Sequence, residues 1–211
     1  GFVLGMIAGY YRDRWPDKVI RGYALLLAST PAFWIALFLL MVFAVWLGWL
    51  PFGMNVPIGM TAAEVGFAEK LRHLILPALT LSLTGVANIT LHTREKMIDI
   101  LESDYVLFAR ARGDADWKIV REHVLRNILL PAITLQFGSV SEIFGGSVLV
   151  EQVFSYPGLG QAAVDAGLGG DVALLLAITV ISTLLVFAGN LTANLLYGMI
   201  DPQIRRGRSH G

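Results

Sequence analysis

The chain has no cysteine, so disulfides and thiolate metal sites are excluded. It is also poor in charge. Only 15% of its 211 residues are Asp, Glu, Lys or Arg, against about 25% in an average soluble domain. Acids and bases balance at sixteen each, so no overall basic field points to nucleic acid. The four histidines, at 73, 92, 123 and 210, are dispersed and show no metal-ligand spacing. No phosphate-binding G-x-x-x-x-G-K-[ST] loop is present, so the chain is not expected to hydrolyse ATP. No nucleophile–base pair or metal cluster suggests an enzyme.

Long apolar runs are what the sequence has instead. Hydrophobic residues make up 55% of it. Residues 22–50, 74–91 and 172–200 contain no Asp, Glu, Lys or Arg, and residues 127–150 contain only Glu142. A bilayer-crossing helix needs about 20 mostly apolar residues, and each run is of that order. Runs of this length are too apolar for helices with one face in water. The expected fold class is all-α, a polytopic membrane helix bundle. Gly1–Tyr10 is apolar but spans only about 15 Å as a helix, and reads as the end of a truncated span.

Lys and Arg set the orientation. With four complete spans, fourteen of the sixteen cations fall on one side: in the segment 11–21, in 92–126 and in the tail. The segment 51–73 carries only Lys70 and Arg72, and 151–171 carries none. The 92–126 segment and the tail are therefore expected in the cytoplasm. Trp46 and Trp49 stand at the outer end of the first full span, where amphipathic aromatics favour the interface.

The most informative polar interval is Asp104–Pro131. Tyr105, Phe108 and Ala109 repeat at helical spacing before Gly113, and Trp117, Val120, Val124 and Leu125 do so after it. This predicts two short amphipathic helices joined at a glycine, with Asp114 or Asp116 capping the second. Such a pair can lie on the inner leaflet or dock a cytoplasmic partner. Within the membrane, Glu142 is costly unless it faces a cavity or a partner. It shares helical spacing with Gly138, Gly145, Gly146 and Leu149, a small, polar face suited to a translocation path or to close helix packing. Thr80, Thr84 and Asn88 form a line, as do Asn190 and Asn194, that suits hydrogen bonding between helices.

The interval resembles the cytoplasmic coupling loop, or EAA loop, of ABC importer permeases. Aligned on Gly113, the Glu-Ala-Ala opening is replaced by Leu107-Phe108-Ala109. The match is to the branch serving dipeptides, oligopeptides and nickel. It rests on Asp104-Tyr105-Val106, Ala109-Arg110-Ala111, Gly113, Arg126-Asn127 and Leu129-Leu130-Pro131. Three further stretches resemble the B-type subunit of that branch: Leu71–Ala78, Gly145-Gly146 with Val150–Gly160, and Asp201-Pro202 with Ile204-Arg205.

The resemblance implies a type I ABC importer transmembrane domain over 1–211, with a coupling loop at 94–126 and a place in the inner membrane. It implies a second permease subunit, two cytoplasmic ATPase subunits that bind the ATP, and an extracytoplasmic substrate-binding protein facing the loop at 155–160. Tyr105, Ala109, Arg110, Ala111, Gly113 and Arg126 would couple to the ATPase. Ala109 would allow close approach to that partner, and Gly113 would provide a turn where a side chain is not tolerated. Glu142 would contact a cationic group such as a peptide amine. A proton-coupled secondary transporter with Glu142 as its titrating group is the competing reading.

Overall fold

A computed structural model describes residues 1–57, 59 and 64–200; the side chains of 126, 130, 140–146, 197, 199 and 200 lie outside that description. The matches at Asp201-Pro202 and Ile204-Arg205 also lie outside it. The regular elements among the described residues are all helices, with no strand among them. In order the helices are α1 (Phe2–Tyr10), α2 (Trp15–Ser29), α3 (Ala32–Leu39), α4 (Phe67–Leu101), α5 (Asp104–Ala111), α6 (Asp116–Ile119), α7 (Leu125–Gly138), α8 (Val140–Val153), α9 (Leu159–Gly169) and α10 (Val172–Ile200). Two π-helical stretches, Leu40–Trp46 and Val120–Val124, continue α3 and α6.

Two described helices are long and apolar enough to cross a bilayer: α4, and α10 over Val172–Leu196. A third crossing arises if α2 and α3 with its continuation form one broken span. The run 22–50 is thus not one helix. Pro31 lacks an N–H and disfavours helix at Thr30, so α2 stops at Ser29 and α3 starts at Ala32. The run 127–150 is likewise divided, between α7 and α8 at Ser139. The run 74–91 lies inside the much longer α4. The run 172–200 coincides with α10.

The chain forms two compact units. Among the described residues one comprises Gly1–Ala28, Gly85–Ser139 and 187–200, the other those of Ser29–Thr84 and Val140–Val186. In the first, α1 lies against the second half of α4 on a row of glycines. A Cβ on Gly5 would stand 2.6 Å from the Thr90 carbonyl oxygen, and one on Gly9 would stand 2.5 Å from Met97 Cβ. Only hydrogen at these positions permits that approach.

In the second unit the buried His73 ring contacts the Gly53 carbonyl through Nδ1 at 2.7 Å. The Met54 N–H donates to the Phe154 carbonyl at 2.8 Å. The Glu151 carboxylate accepts from the Gln161 N–H in the first turn of α9 at 2.6 Å, the favourable place for a negative group. The threonine line on α4 serves its own helix. Thr80 and Thr84 donate to the carbonyls of Leu76 and Leu81, which relieves these hydroxyls without a second helix.

Candidate functional site

The site is the α5–α6 hairpin, and its turn follows from Gly113. The Gly113 N–H donates to the Arg110 carbonyl at 2.9 Å, and the Asp114 N–H to the Ala109 carbonyl at 3.1 Å. These two bonds close the end of α5 in a Schellman motif, which requires a left-handed residue at its hinge. Gly113 has φ +83°. No atom lies within 4 Å of the place a Cβ would take. The constraint on Gly113 is therefore backbone conformation and not lack of room within the chain, which changes the reason expected for the glycine.

The hairpin has an inner face that holds it to its own unit. Val106, Ala109, Ile119, Val124 and Ile128 form one buried cluster with Met97, flanked by Phe2, Met6, Ile100, Leu101 and Val120. Ala109 is 2% exposed, so its small side chain serves the packing of α5 inside the chain. The buried row on α5 is Val106–Ala109, not Tyr105–Phe108–Ala109. A one-residue rotation of the inferred stripe accounts for the difference, because 105/108 and 106/109 both satisfy i, i+3.

Three large apolar side chains of the hairpin are left uncovered among its exposed charged residues. Leu107 is 51% exposed, Phe108 68% and Trp117 67%. Aromatic side chains such as Phe108 and Trp117, exposed on a short hairpin, are of the type enriched in interface cores. Sequence periodicity groups Trp117 with the partly buried Val120 and the buried Val124; the structure turns it outward instead.

Ion pairs brace the turn. Asp114 accepts from Lys118 Nζ and from an Arg112 guanidinium nitrogen, each at 2.9 Å. The hydrogen bond from Lys118, then that from Arg112, holds the Asp114 carboxyl below its ordinary range. The same bond raises Lys118. Asp114 is thus a brace and not a cap. Asp116 falls in the first turn of α6, and no side chain caps that helix. Arg110 Nε lies 3.5 Å from Asp116, and Tyr105 accepts from Asn127 Nδ2 at 3.2 Å.

Of the expected coupling residues, Tyr105, Arg110, Ala111 and Gly113 are exposed on the hairpin, Ala109 is buried, and the Arg126 side chain lies outside the described residues. Of the expected path residues, Gly138 ends α7 while Glu142, Gly145 and Gly146 lie on α8. The break at Ser139 means that helical spacing does not carry Gly138 onto their face. The side-chain surroundings of Glu142, Gly145 and Gly146 lie outside the described residues. Among the described residues no group of His, Asp or Glu is placed to hold a metal.

The chain is 42% identical over 176 residues to the oligopeptide transport system permease protein AppB of Bacillus subtilis, covering 83% of this chain and 55% of that protein. It is 38% identical over 208 residues to the glutathione transport system permease protein GsiC of Escherichia coli K12, covering 97% of this chain and 63% of that protein. A putative peptide transport system permease protein of Brucella abortus is 35% identical over 205 residues, covering 97% of this chain and 64% of that protein. The chain therefore spans less than two thirds of the length of these relatives. A family model described as binding-protein-dependent transport system inner membrane component matches residues 1–206. The apolar helices and this match together make it a membrane protein, and the chain belongs to the family of binding-protein-dependent transport system inner membrane components.

Proposed function

We propose that the chain is part of a multi-pass inner-membrane permease subunit of an ATP-driven importer for short peptides. Its α5–α6 hairpin docks a separate ATPase. The observation that carries this is the hairpin's two-sided build. Val106, Ala109, Ile119 and Val124 anchor it inward, while Leu107, Phe108 and Trp117 are left uncovered. A lever that transmits force needs both a firm root and a free contact surface.

The remaining partners follow from the family: a second permease subunit, a second ATPase subunit, and an extracytoplasmic binding protein that delivers the solute. The solute class rests on relatives named for oligopeptide, peptide and glutathione transport. Glu142, with Gly145 and Gly146 on α8, lines the path and meets the peptide amine. ATP stays on the ATPase subunits. The proton-coupled reading has no support from these relatives, which are named permeases of transport systems.

The test is co-purification with the ATPase subunits and ATP-driven peptide uptake in proteoliposomes. Phe108→Ser with Trp117→Ser removes exposed groups only, so membrane insertion and thermal stability are expected to stay at wild-type values. ATPase capture is expected to fall at least about tenfold, the effect of removing an aromatic anchor from an interface. Full capture and uptake by the double variant would refute the docking assignment.

A further inference from the structure

The turn between α1 and α2, with the helix residues that flank it (10–17), is held at three places in its own unit. At its far end Asp17, 1% exposed, receives two parallel hydrogen bonds from Arg94 on α4, at 2.6 and 2.7 Å. The Arg94 side chain is 12% exposed. Asp17 Oδ2 also accepts from the Asp13 N–H at 2.9 Å, and Asp13 takes φ +61° to make that bond. In the middle, the Arg12 guanidinium pairs with Glu102, just past the end of α4. At the near end, the Tyr10 hydroxyl donates to Asp116 on the hairpin at 3.4 Å, and Asp116 also pairs with Arg110.

These contacts differ in kind. The Asp17–Arg94 pair is two-pronged, with Asp17 buried and Arg94 partly buried, a geometry that fixes orientation. Buried pairs are poor sources of net stability compared with apolar packing, so rigidity is the property this one supplies best. The glycine seat of α1 on Thr90–Met97 adds to it. The Arg12–Glu102 and Tyr10–Asp116 contacts are exposed, and exposed pairs of this sort are weak and re-formable. The turn is rigid at its root and loosely joined at the hairpin.

We propose that the α1–α2 turn is a strut that sets the attitude of the docking hairpin and carries its displacement into α1 and α4. Asp17 and Arg94 are its positioning pair; Tyr10 and Arg12 make the contacts that shift. The inference rests on the reading of the hairpin as the ATPase dock. Cations at Arg12 and Arg14 contribute to the positive side of the membrane in any case, but Asp17 and the bond it makes to Arg94 have no part in that rule.

The test uses the complete importer in proteoliposomes with a short peptide and ATP. Tyr10→Phe with Arg12→Ala changes exposed contacts and leaves the fold intact. It is expected to bind the ATPase subunits normally and to lower peptide imported per ATP by about fivefold, within the range seen for residues along coupling networks. Asp17→Asn is expected to lower that ratio further and to raise amide exchange across 104–119 by about tenfold, because it leaves the partly buried Arg94 without its charged partner. The exchanged pair Asp17→Arg with Arg94→Asp is expected to recover part of both effects. Wild-type import per ATP in both the Tyr10/Arg12 and the Asp17 variants would overturn the strut. So would a loss of import matched by loss of ATPase binding and not repaired by the exchanged pair, since the pair would then only hold the fold. Absence of ATP-driven uptake in the wild-type importer would sink the importer reading instead. The exchange measurement would then decide the strut alone: unchanged protection of 104–119 in Asp17→Asn overturns it.

Discussion

Substituting Gly113 separates backbone strain from crowding. Gly113→Ala, Gly113→Asn and Gly113→Val each place a Cβ where no atom stands within 4 Å, so no clash inside the chain contributes. What each must do is hold φ near +83°. That conformation costs an L-residue about 1–2 kcal/mol. Loss of glycine freedom in the opened turn returns about 0.4–1 kcal/mol. The net cost for alanine is then roughly 1 kcal/mol. Asparagine tolerates the left-handed region and is expected to cost about half of that, whereas β-branched valine is expected to cost about 2 kcal/mol or more.

Amide exchange of Gly113 and Asp114 reads this directly, because their N–H groups make the two bonds that close α5. About 1 kcal/mol corresponds to roughly fivefold faster exchange. The expected order of exchange rates is Gly, Asn, Ala, Val, and ATPase capture should decline in the same order. Asparagine is larger than alanine, so a crowding effect would reverse those two. An order that follows side-chain volume, or uniform exchange in all four proteins, would refute the backbone explanation and return Gly113 to a role at the partner's surface.

Helix seating gives a second outcome. Gly5→Ala pushes a methyl against the Thr90 carbonyl, a backbone atom that cannot swing aside, and is expected to destabilise by about 1–3 kcal/mol in thermal scans in detergent. Gly22→Ala on α2 meets nothing within 4 Å and is expected to stabilise by about 0.5–1 kcal/mol; equal shifts in the two would refute the glycine seat. Acid gives a third. The folded Asp114 carboxyl titrates below its unfolded value of about 3.9, so its contribution is complete above that value and is lost as pH falls through the folded one. Trp117 fluorescence in a variant keeping only that tryptophan is expected to be flat from about pH 5 to 8 and to change below about pH 4, and Asp114→Asn should remove the acid step. Lys118, raised by the same bond, contributes below its unfolded value and loses that contribution only in strong alkali.

What the sequence displayed clearly were features that need no partner in space. A charge-free run states its apolarity residue by residue, so α10 was legible almost to its ends. Gly113 between two periodic stretches was legible as a turn because left-handed geometry is a property of one residue. Helix continuity was less legible. The break at Thr30-Pro31 could be read as a kink inside a span, and the break at Ser139 is announced only by the Gly138-Ser139 pair, a weaker signal than proline. Spacing arguments that cross such a break lose their basis, as they do for Gly138.

Facing was the least legible property of all. The steps 105 to 108 and 106 to 109 have the same period, and only the tertiary cluster around Met97 decides which pair is buried. The outcome moves Ala109 from the partner's side to the chain's own packing and brings Phe108 and Trp117 outward. The Gly1, Gly5, Gly9 spacing was a readable signal of a close helix seat, since three small residues at intervals of four line one helix face. The Asp17–Arg94 bond had no such signal, since its partners are 77 residues apart. A small hinge residue such as Gly113 is thus legible locally, while the rigid root that makes a hinge useful is built from distant residues. A substitution at Gly113 and one at Asp17 should therefore both reach the hairpin, one by loosening its turn and the other by loosening its support.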